Sequence, residues 1–234
     1  MIYKIFISAI LLMGLFVNSG YSQNNPKGFD DFKNPKGDWF EAGDAKLNPD
    51  NERELLAVEG EGVFVNGTKG VTKHLFTKQP HGDIILELEF MLSKGSNSGV
   101  YLQGRYEVQV FDSSGKEKVG SGDCGGIYER WDEKREGKKG YDGIPPLINA
   151  CKNPGEWQTY YIHFKAPRFN KKGEKKRNAR FKKVVLNGEV VHKNVEATGP
   201  TRSSLDNLEE PTGLLMLQGD HGPVAYRNIR IRKR

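Results

Sequence analysis

Apolar side chains recur at every second position in much of this chain. In residues 97–113, NSGVYLQGRYEVQVFDS, the even positions from Val100 are apolar or glycine, whereas most odd positions are polar. Successive residues of a β-strand point to opposite faces, so the pattern predicts a strand with an apolar inner face and a polar outer face. An ordinary solvated surface and a functional surface are both consistent with that polar row, which contains Tyr101, Gln103, Arg105, Glu107 and Gln109.

Other strand-like segments are separated by turn-forming residues. They cover residues 61–67, 82–92, 157–167, 179–195, 212–222 and 224–234. No run of ten or more residues has apolar positions at helical spacing, and the 28 Gly and 11 Pro fall mostly between the segments. Asn187-Gly188 between two alternating runs is a strong hairpin signal. The chain is therefore predicted to be all-β, an antiparallel sandwich or jelly roll.

The N-terminal residues follow a different pattern. Lys4 precedes an apolar run over residues 5–17, and Gly20 and Ser22 occupy the small-residue positions of a cleavage site. These features predict a secretory signal peptide over residues 1–22, with a retained membrane anchor as the alternative. The remaining residues, 23–234, fit a single domain, which we expect to be periplasmic or secreted, with no membrane span once the signal peptide is cleaved.

Positive charge is concentrated in one segment. The chain has 36 Lys and Arg against 30 Asp and Glu, a formal charge of +6. Residues 165–183, KAPRFNKKGEKKRNARFKK, contain ten Lys or Arg and one Glu. Nucleic-acid sites usually interleave aromatic side chains that stack on bases. Here the lysines surround a turn-like sequence, so we predict a solvated hairpin loop and no nucleic-acid partner.

Two cysteines, Cys124 and Cys151, would be exposed to oxidation in an exported chain. A disulfide that joins two loops and a buried free thiol are the two alternatives.

Titratable and aromatic side chains collect at other strand ends and in one long connection. The segment 212–222 ends in Gln-Gly-Asp-His-Gly, which places Asp220 and His221 in a glycine-flanked turn. The connection over residues 122–157 carries Tyr128 and Trp131 near Asp123. Aromatic rings beside carboxylates and amides suit a sugar, because the apolar face of the sugar stacks and its hydroxyls need hydrogen-bond partners.

Several motifs together resemble a known family. They are NSGVYLQGRYEVQVFDS, GDCGGIY, PGEWQTYYIHFKAPRF, VVLNGEVVHKNV and GLLMLQGDHGPVAYRNIRIR, in this order from about Phe64, or from Asp38, to the C-terminus. The chain resembles the 3-keto-disaccharide hydrolase domain family, formerly domain of unknown function 1080. The resemblance implies a concanavalin-like jelly roll and an exported enzyme that cleaves glycosides already oxidised to a ketone at C3. The ketone acidifies the C2 hydrogen, so elimination at C1 followed by hydration would give net hydrolysis.

On this reading, Glu107 or His221 is the base, and Arg105 or a divalent ion stabilises the enolate. No cofactor is required with certainty; Glu89 and Asp220, with Asp123 and His221, are the candidate ligands if an ion is bound. The expected partners are a carbohydrate substrate and, in the same pathway, a sugar 3-oxidoreductase. The alternative function is a non-catalytic carbohydrate-binding module. The expected substrate contacts are Tyr101, Gln103, Gln109, Asp123, Tyr128 and Trp131.

Overall fold

The computed structural model describes residues 22–23, 25–26, 28–33 and 37–233. The predicted signal peptide lies outside the described residues except for Ser22. Within the described part, one short 3-10 helix, Phe29–Asp31, accompanies sixteen strands. These are β1 Ser22–Gln23, β2 Phe40–Leu47, β3 Leu55–Val65, β4 Leu75–His81, β5 Ile84–Leu92, β6 Asn97–Leu102, β7 Tyr106–Phe111, β8 Arg130–Trp131, β9 Gly140–Tyr141, β10 Gln158–Lys165, β11 Arg168–Phe169, β12 Lys175–Arg177, β13 Ala179–Leu186, β14 Glu189–Ala197, β15 Gly213–Leu217 and β16 Val224–Lys233.

Two antiparallel sheets form the sandwich. The large sheet has the order β14-β13-β10-β5-β16-β3-β2, with β1 paired to β16, and the small sheet has the order β4-β15-β6-β7. Two hairpins, β8-β9 and β11-β12, stand apart from these sheets. The Tyr106 ring of the small sheet lies 5.4 Å from the Phe164 ring of the large sheet, which shows the two inner faces in contact. The all-β jelly-roll prediction is confirmed.

Strand alternation explains which faces meet. On β5 the inward residues Ile84, Leu86 and Phe90 belong to the core, whereas the outward Glu89 pairs with Arg227 of the neighbouring β16. Cross-strand ion pairs of this kind stabilise a solvated sheet face by modest amounts. The polar row of β5 is therefore accounted for by pairing within the large sheet.

The segment 97–113 corrects one sequence prediction, because it forms a hairpin of two strands rather than one strand. β6 and β7 pair with Tyr101 opposite Glu107 and Gly99 opposite Gln109. The turn between them has Gln103 and Gly104 at φ of 56° and 68°. Side chains on opposite strands of a hairpin share a face when they are paired, so the odd positions stay together outside the turn.

Besides the two-residue β1, two strands of the large and small sheets were not predicted. β2 contains Gly43 at a register shift, where a Cβ would lie 2.6 Å from the Glu59 carbonyl oxygen. β4 contains Pro80, which lacks a backbone donor, and occupies the edge of the small sheet. Because Gly and Pro are typical of turns, neither segment was predicted to be a strand. Among the described residues, no helix is long and apolar enough to cross a membrane.

The buried side chain of Asn66, directly after β3, holds the loop between β15 and β16. Its Nδ2 donates to the carbonyl oxygens of Gly219 at 3.0 Å and Gly222 at 2.9 Å, and its Oδ1 accepts from the Val224 amide at 2.8 Å. The backbone of Gly70 lies against the same loop, because a Cβ there would be 1.9 Å from the Gly222 carbonyl carbon. This loop carries the Asp-His pair, so Asn66 sets its position.

We expect Asn66→Ala to lower the free energy of unfolding by roughly 2–4 kcal/mol, because three buried backbone groups lose their partner. Urea denaturation measures the loss. The exposed Asn207 is the matched control, and its replacement by alanine should change stability by less than about 0.5 kcal/mol. Equal stability of the two variants would contradict the role given to Asn66.

Candidate functional site

A pocket of about 260 Å³ lies over the outer face of the small sheet. β6 and β7 supply its floor through the outward side chains of the hairpin, while the β15–β16 loop and the segment after β14 supply its walls. The lining residues are Asn97, Tyr101, Glu107, Gln109, Tyr128, Arg202, Ser203, Gln218 and His221. Five of these were predicted as site residues from the sequence: Tyr101, Glu107, Gln109, Tyr128 and His221.

Glu107 is a buried carboxyl group at the floor of this pocket, with 1% of its surface exposed. Burial disfavours the charged form and raises the pKa of Glu107 to about 8; the nearby Tyr101 hydroxyl opposes the rise and the charge of Asp220 adds to it. The carboxyl is therefore mostly protonated at neutral pH. A carboxylic acid in this state can donate a hydrogen bond or a proton.

The surroundings of Glu107 are shaped around one of its two oxygens. The Gln109 side chain directs its amide nitrogen at the carboxyl. This nitrogen donates to Glu107 Oε1 at 3.2 Å and to the Ser98 carbonyl oxygen at 2.8 Å. A Cβ at Gly99 would lie 2.1 Å from the same Oε1. Glycine at position 99 thus leaves the space that the carboxyl occupies.

Two buried polar atoms of the lining have no hydrogen-bond partner among the described residues. They are Glu107 Oε2 and Gln218 Oε1. Buried polar atoms in folded proteins are nearly always paired, because an unpaired one costs about 1–3 kcal/mol. Both atoms belong to residues that line the same pocket, so a polar ligand that binds there would satisfy them.

His221 and Asp220 form a close pair at the rim of the pocket. The Nδ1 atom of His221 lies 2.5 Å from Asp220 Oδ1, whereas Gln218 Nε2, a donor that could bond only to an unprotonated Nδ1, lies farther away at 3.2 Å. An ionised carboxylate only accepts hydrogen bonds, so the pair favours the tautomer with the proton on Nδ1. The Nε2 atom then carries the free lone pair, as a general base requires.

Arg202 brings a cation to the pocket that was not predicted from the sequence. Its guanidinium stacks on the Trp131 ring at 3.8 Å, and its carbonyl oxygen accepts a hydrogen bond from the Tyr101 hydroxyl at 3.2 Å. The neighbouring Thr201 fixes this segment to β7, because its Oγ1 accepts from the Glu107 amide at 3.2 Å. Nothing in the local sequence marks Arg202, since it lies in a loop without strand alternation.

Arg105 and Gln103 do not line the pocket, so the predicted use of Arg105 beside Glu107 is corrected. The Arg105 guanidinium donates to both carboxylate oxygens of Asp206, at 2.9 and 3.1 Å. The Gln103 amide donates to the Pro211 carbonyl oxygen at 2.9 Å. Both residues belong to the turn between β6 and β7, where alternation ends and the side chains leave the shared face.

Asp123 and Trp131 also lie outside the lining. The Asp123 carboxylate accepts from Lys116 at 2.5 Å and from the Gly120 amide at 2.7 Å, which closes its own loop. Trp131 reaches the site only through its contact with Arg202. Both residues are close in the sequence to Tyr128, which lines the pocket. The contacts of Asp123, however, are those of a structural residue.

The candidate metal ligands are not assembled. Glu89 is on the outer face of the large sheet, where it accepts hydrogen bonds from Arg227 at 2.7 Å and Asn228 at 2.8 Å, whereas Asp220 follows β15 of the small sheet. In residues 37–233 and the shorter described stretches, no group of three or more His, Cys, Asp or Glu could hold an ion. Glu89 is therefore corrected to an ion-pair residue of the large sheet.

Both cysteines are free thiols in the structure. They nevertheless interact, because a hydrogen bond with Cys124 lowers the pKa of Cys151 to about 6, while burial raises the pKa of Cys124. The disulfide stays a prediction, which thiol titration of the denatured protein checks.

Comparisons with known proteins place the chain in a family. The profile of the 3-keto-alpha-glucoside-1,2-lyase-like domain matches residues 22–232. A candidate glycosyl hydrolase of Parabacteroides distasonis is 28% identical, with a TM-score of 0.56 and coverage of 76% of each chain. Another candidate glycosyl hydrolase of that organism is 18% identical, with a TM-score of 0.50 and coverage of 89% of this chain and 90% of that chain, and shows the fold alone.

A search of curated proteins gave no significant match. The profile match covers nearly every described residue, including the paired strands of both sheets and all nine residues that line the pocket. This chain belongs to the 3-keto-alpha-glucoside-1,2-lyase-like domain family.

Proposed function

We propose that this protein cleaves 3-keto-glycosides by elimination across C1 and C2, with hydration of the product. Family membership and the relatives above support a carbohydrate-active hydrolase or lyase in general. The observation that carries the finer proposal is the buried Glu107 carboxyl, with its unpaired Oε2, in one pocket with the His221–Asp220 pair. One group is neutral and ready to donate, and the other is oriented to accept.

The proposed reaction needs three groups: a base for the C2 hydrogen, a partner for the enolate oxygen and an acid for the leaving oxygen. A base removes the C2 hydrogen, and the electron pair of that bond forms an enolate that carries its charge on the C3 oxygen. The enolate then reforms the C3 ketone, a C1–C2 double bond forms, and the C1–oxygen bond breaks as the leaving oxygen takes a proton. Water adds its oxygen to C1 and a hydrogen to C2, so the net change is hydrolysis. Acid and base catalysis of this type contributes about 10²–10⁴-fold for each group.

His221 is the proposed base. Asp220 orients the ring from Nδ1 and stabilises the imidazolium that forms once Nε2 has taken the proton. The imidazole is half exposed, so the proton can afterwards pass to solvent. Glu107 is less suited to the same task at neutral pH, because its raised pKa keeps it protonated.

Glu107 is the proposed acid for the leaving oxygen, and Arg202 is the proposed partner of the enolate oxygen. Oε2 of Glu107 has no hydrogen-bond partner in the described part of the structure, and in the proposed reaction this oxygen bonds to the leaving oxygen of the substrate. The guanidinium of Arg202 supplies the positive charge that was predicted for Arg105, and its stacking on Trp131 limits its movement. Gln109 and Gln218 are left to hold sugar hydroxyls.

Two further parts of the proposal concern the setting of the reaction. Residues 1–22 have the pattern of a signal peptide, so we place the enzyme in the periplasm or outside the cell. A ketone at C3 must first be introduced into the glycoside, so an oxidoreductase that acts on C3 is expected upstream. A non-catalytic carbohydrate-binding module is the alternative, since jelly rolls serve both purposes.

The direct test is incubation of purified protein with a 3-keto-glucoside that carries a chromogenic leaving group, beside the unoxidised glucoside, with and without EDTA. We expect cleavage of the 3-keto compound alone. His221→Asn and Glu107→Gln should each lower kcat/KM by about 10²–10⁴-fold. Glu117→Gln, at an exposed carboxyl, is the control and should retain full activity.

Binding measurements separate the enzyme from a binding module. The two pocket variants should keep most of their affinity for the 3-keto ligand while turnover is lost. Cleavage of neither compound by folded protein, together with an equal loss of affinity in both variants, would reject the enzymatic proposal in favour of the module.

Glu107 also predicts a dependence of activity on pH. The proposed acid must be protonated, so kcat/KM of the wild type should fall as the pH rises through about 8. This alkaline limb should vanish from the residual activity of Glu107→Gln. A limb that persists unchanged in the variant would assign it to another group.

The same carboxyl predicts a dependence of stability on pH. Between about pH 4.5 and about pH 8 the unfolded chain loses the proton that folded Glu107 keeps, so stability falls as the pH rises, and the loss is complete above about 8. Glu107→Gln removes this loss, and its Tm should exceed that of the wild type by an amount that grows over this interval. Thermal unfolding in a pH series, with Glu117→Gln as control, checks the trend; a constant difference would contradict it.

A further inference from the structure

We propose that a second site, the basic cleft, binds a linear acidic polysaccharide through its sulfate or carboxylate groups. The cleft has a volume of about 780 Å³ and lies between the β11-β12 hairpin and the strands β13 and β14. Its lining residues are Lys165, Ala166, Arg168, Lys175, Lys176, Arg177, Asn178, Arg180, Lys182 and Glu196. None of them belongs to the pocket that contains Glu107.

The pairing of the strands puts like charges together in this region. Arg168 is directly opposite Arg177 in the β11-β12 hairpin. Like charges at directly opposed positions destabilise a sheet, so folding by itself disfavours this arrangement. An anionic ligand that bridges the cations would offset the repulsion.

The cleft keeps an excess of positive charge after its internal ion pairs are counted. Seven of the lining residues are cations. Four carboxylates pair with them: Asp83 with Lys165 and Arg168, Glu209 with Lys175, Glu174 with Lys176, and Glu196 with Arg180. Seven positive and four negative charges leave a net +3.

Two of the cations are the most available to a ligand. Among the described residues, no carboxylate pairs with Arg177 or Lys182. The Lys182 ammonium donates only to a neutral oxygen, Asn194 Oδ1, at 2.8 Å. Both side chains are exposed, so replacing them removes no buried contact. Anionic groups of a chain bound along the cleft would form charge-assisted hydrogen bonds with both.

The chemistry of the lining favours a polysaccharide over a nucleic acid. None of the ten lining residues is aromatic, so the cleft has no ring on which a nucleobase could stack. The cations come from four successive strands, β10 to β13, so they are spread along the cleft. Charges repeated along a sugar chain fit such a distribution.

The cleft is linked to the candidate active site through one segment. The Lys175 ammonium donates to the Thr198 carbonyl oxygen at 3.1 Å and to Glu209 Oε2 at 2.5 Å. Between these two residues, Arg202 and Ser203 line the pocket. An acidic glycan bound in the cleft would therefore contact Lys175, which is bonded to the segment that lines the pocket. The binding site does not depend on the proposed reaction.

The test measures the binding of heparin, as the sulfated probe, and of polygalacturonate, as the carboxylate probe, by titration calorimetry. Both should bind at about 0.05 M salt. Both should bind more weakly at about 0.3 M salt, because the added ions screen the charges. The double variant Arg177→Gln/Lys182→Gln should raise Kd about tenfold. The control Lys69→Gln/Lys118→Gln removes the same charge from exposed lysines elsewhere and should change Kd less than about twofold.

Further measurements distinguish this proposal from the alternatives. Neutral dextran should not bind, and Glu107→Gln should bind heparin as the wild type does. Unchanged heparin affinity in the folded cleft variant, checked by its Tm, would overturn the proposal. Tighter binding of duplex DNA than of either polysaccharide at equal salt would overturn it in favour of a nucleic-acid partner. Binding of heparin alone would restrict the ligand to sulfated chains and support the cleft as their site.

Discussion

The burial of Glu107 on the outer face of the small sheet is the constraint on which the rest of this site depends. β7 fills the sandwich with Val108 and Val110 on one face and carries Glu107 and Gln109 on the other. A slip of one residue in its pairing would place a carboxyl among the apolar side chains of the core, so the register is strongly specified. The same register places Gly99 and Tyr101 next to the carboxyl, which determines the floor of the pocket.

Covering the outer face of the small sheet requires backbone as well as side chains. Residues 125 and 126 exchange hydrogen bonds with Gln109, and Thr201 binds both the Arg105 carbonyl oxygen and the Glu107 amide. These loops exclude water from Glu107, and exclusion of water is what raises its pKa. The stability lost by burying this group is recovered elsewhere, in the apolar core that both sheets share.

Charge serves different purposes on different surfaces of the molecule. On the outer face of the large sheet, Glu87 and Glu89 are matched by Arg232 and Arg227 of the neighbouring strand. At the β11-β12 hairpin the cations outnumber their carboxylate partners, and like charges face one another. The first arrangement is explained by the sheet itself. The second is not, and the proposed anionic ligand would supply the missing counter-charge.

The sequence alone determined the all-β class and the family, and it marked Glu107 and His221 as alternative candidates for the base, because strand alternation and short motifs are local properties. It could not determine where alternation stops. Gln103 and Arg105 continue the period of two in the sequence, yet the chain turns at φ values of 56° and 68° and sends Arg105 to Asp206. Arg202 joins the pocket from a loop about one hundred residues away from Tyr101, with which it shares a hydrogen bond. Contacts between distant segments form only when both sheets and their loops are packed, so the tertiary structure decided which cation lines the pocket of the buried acid.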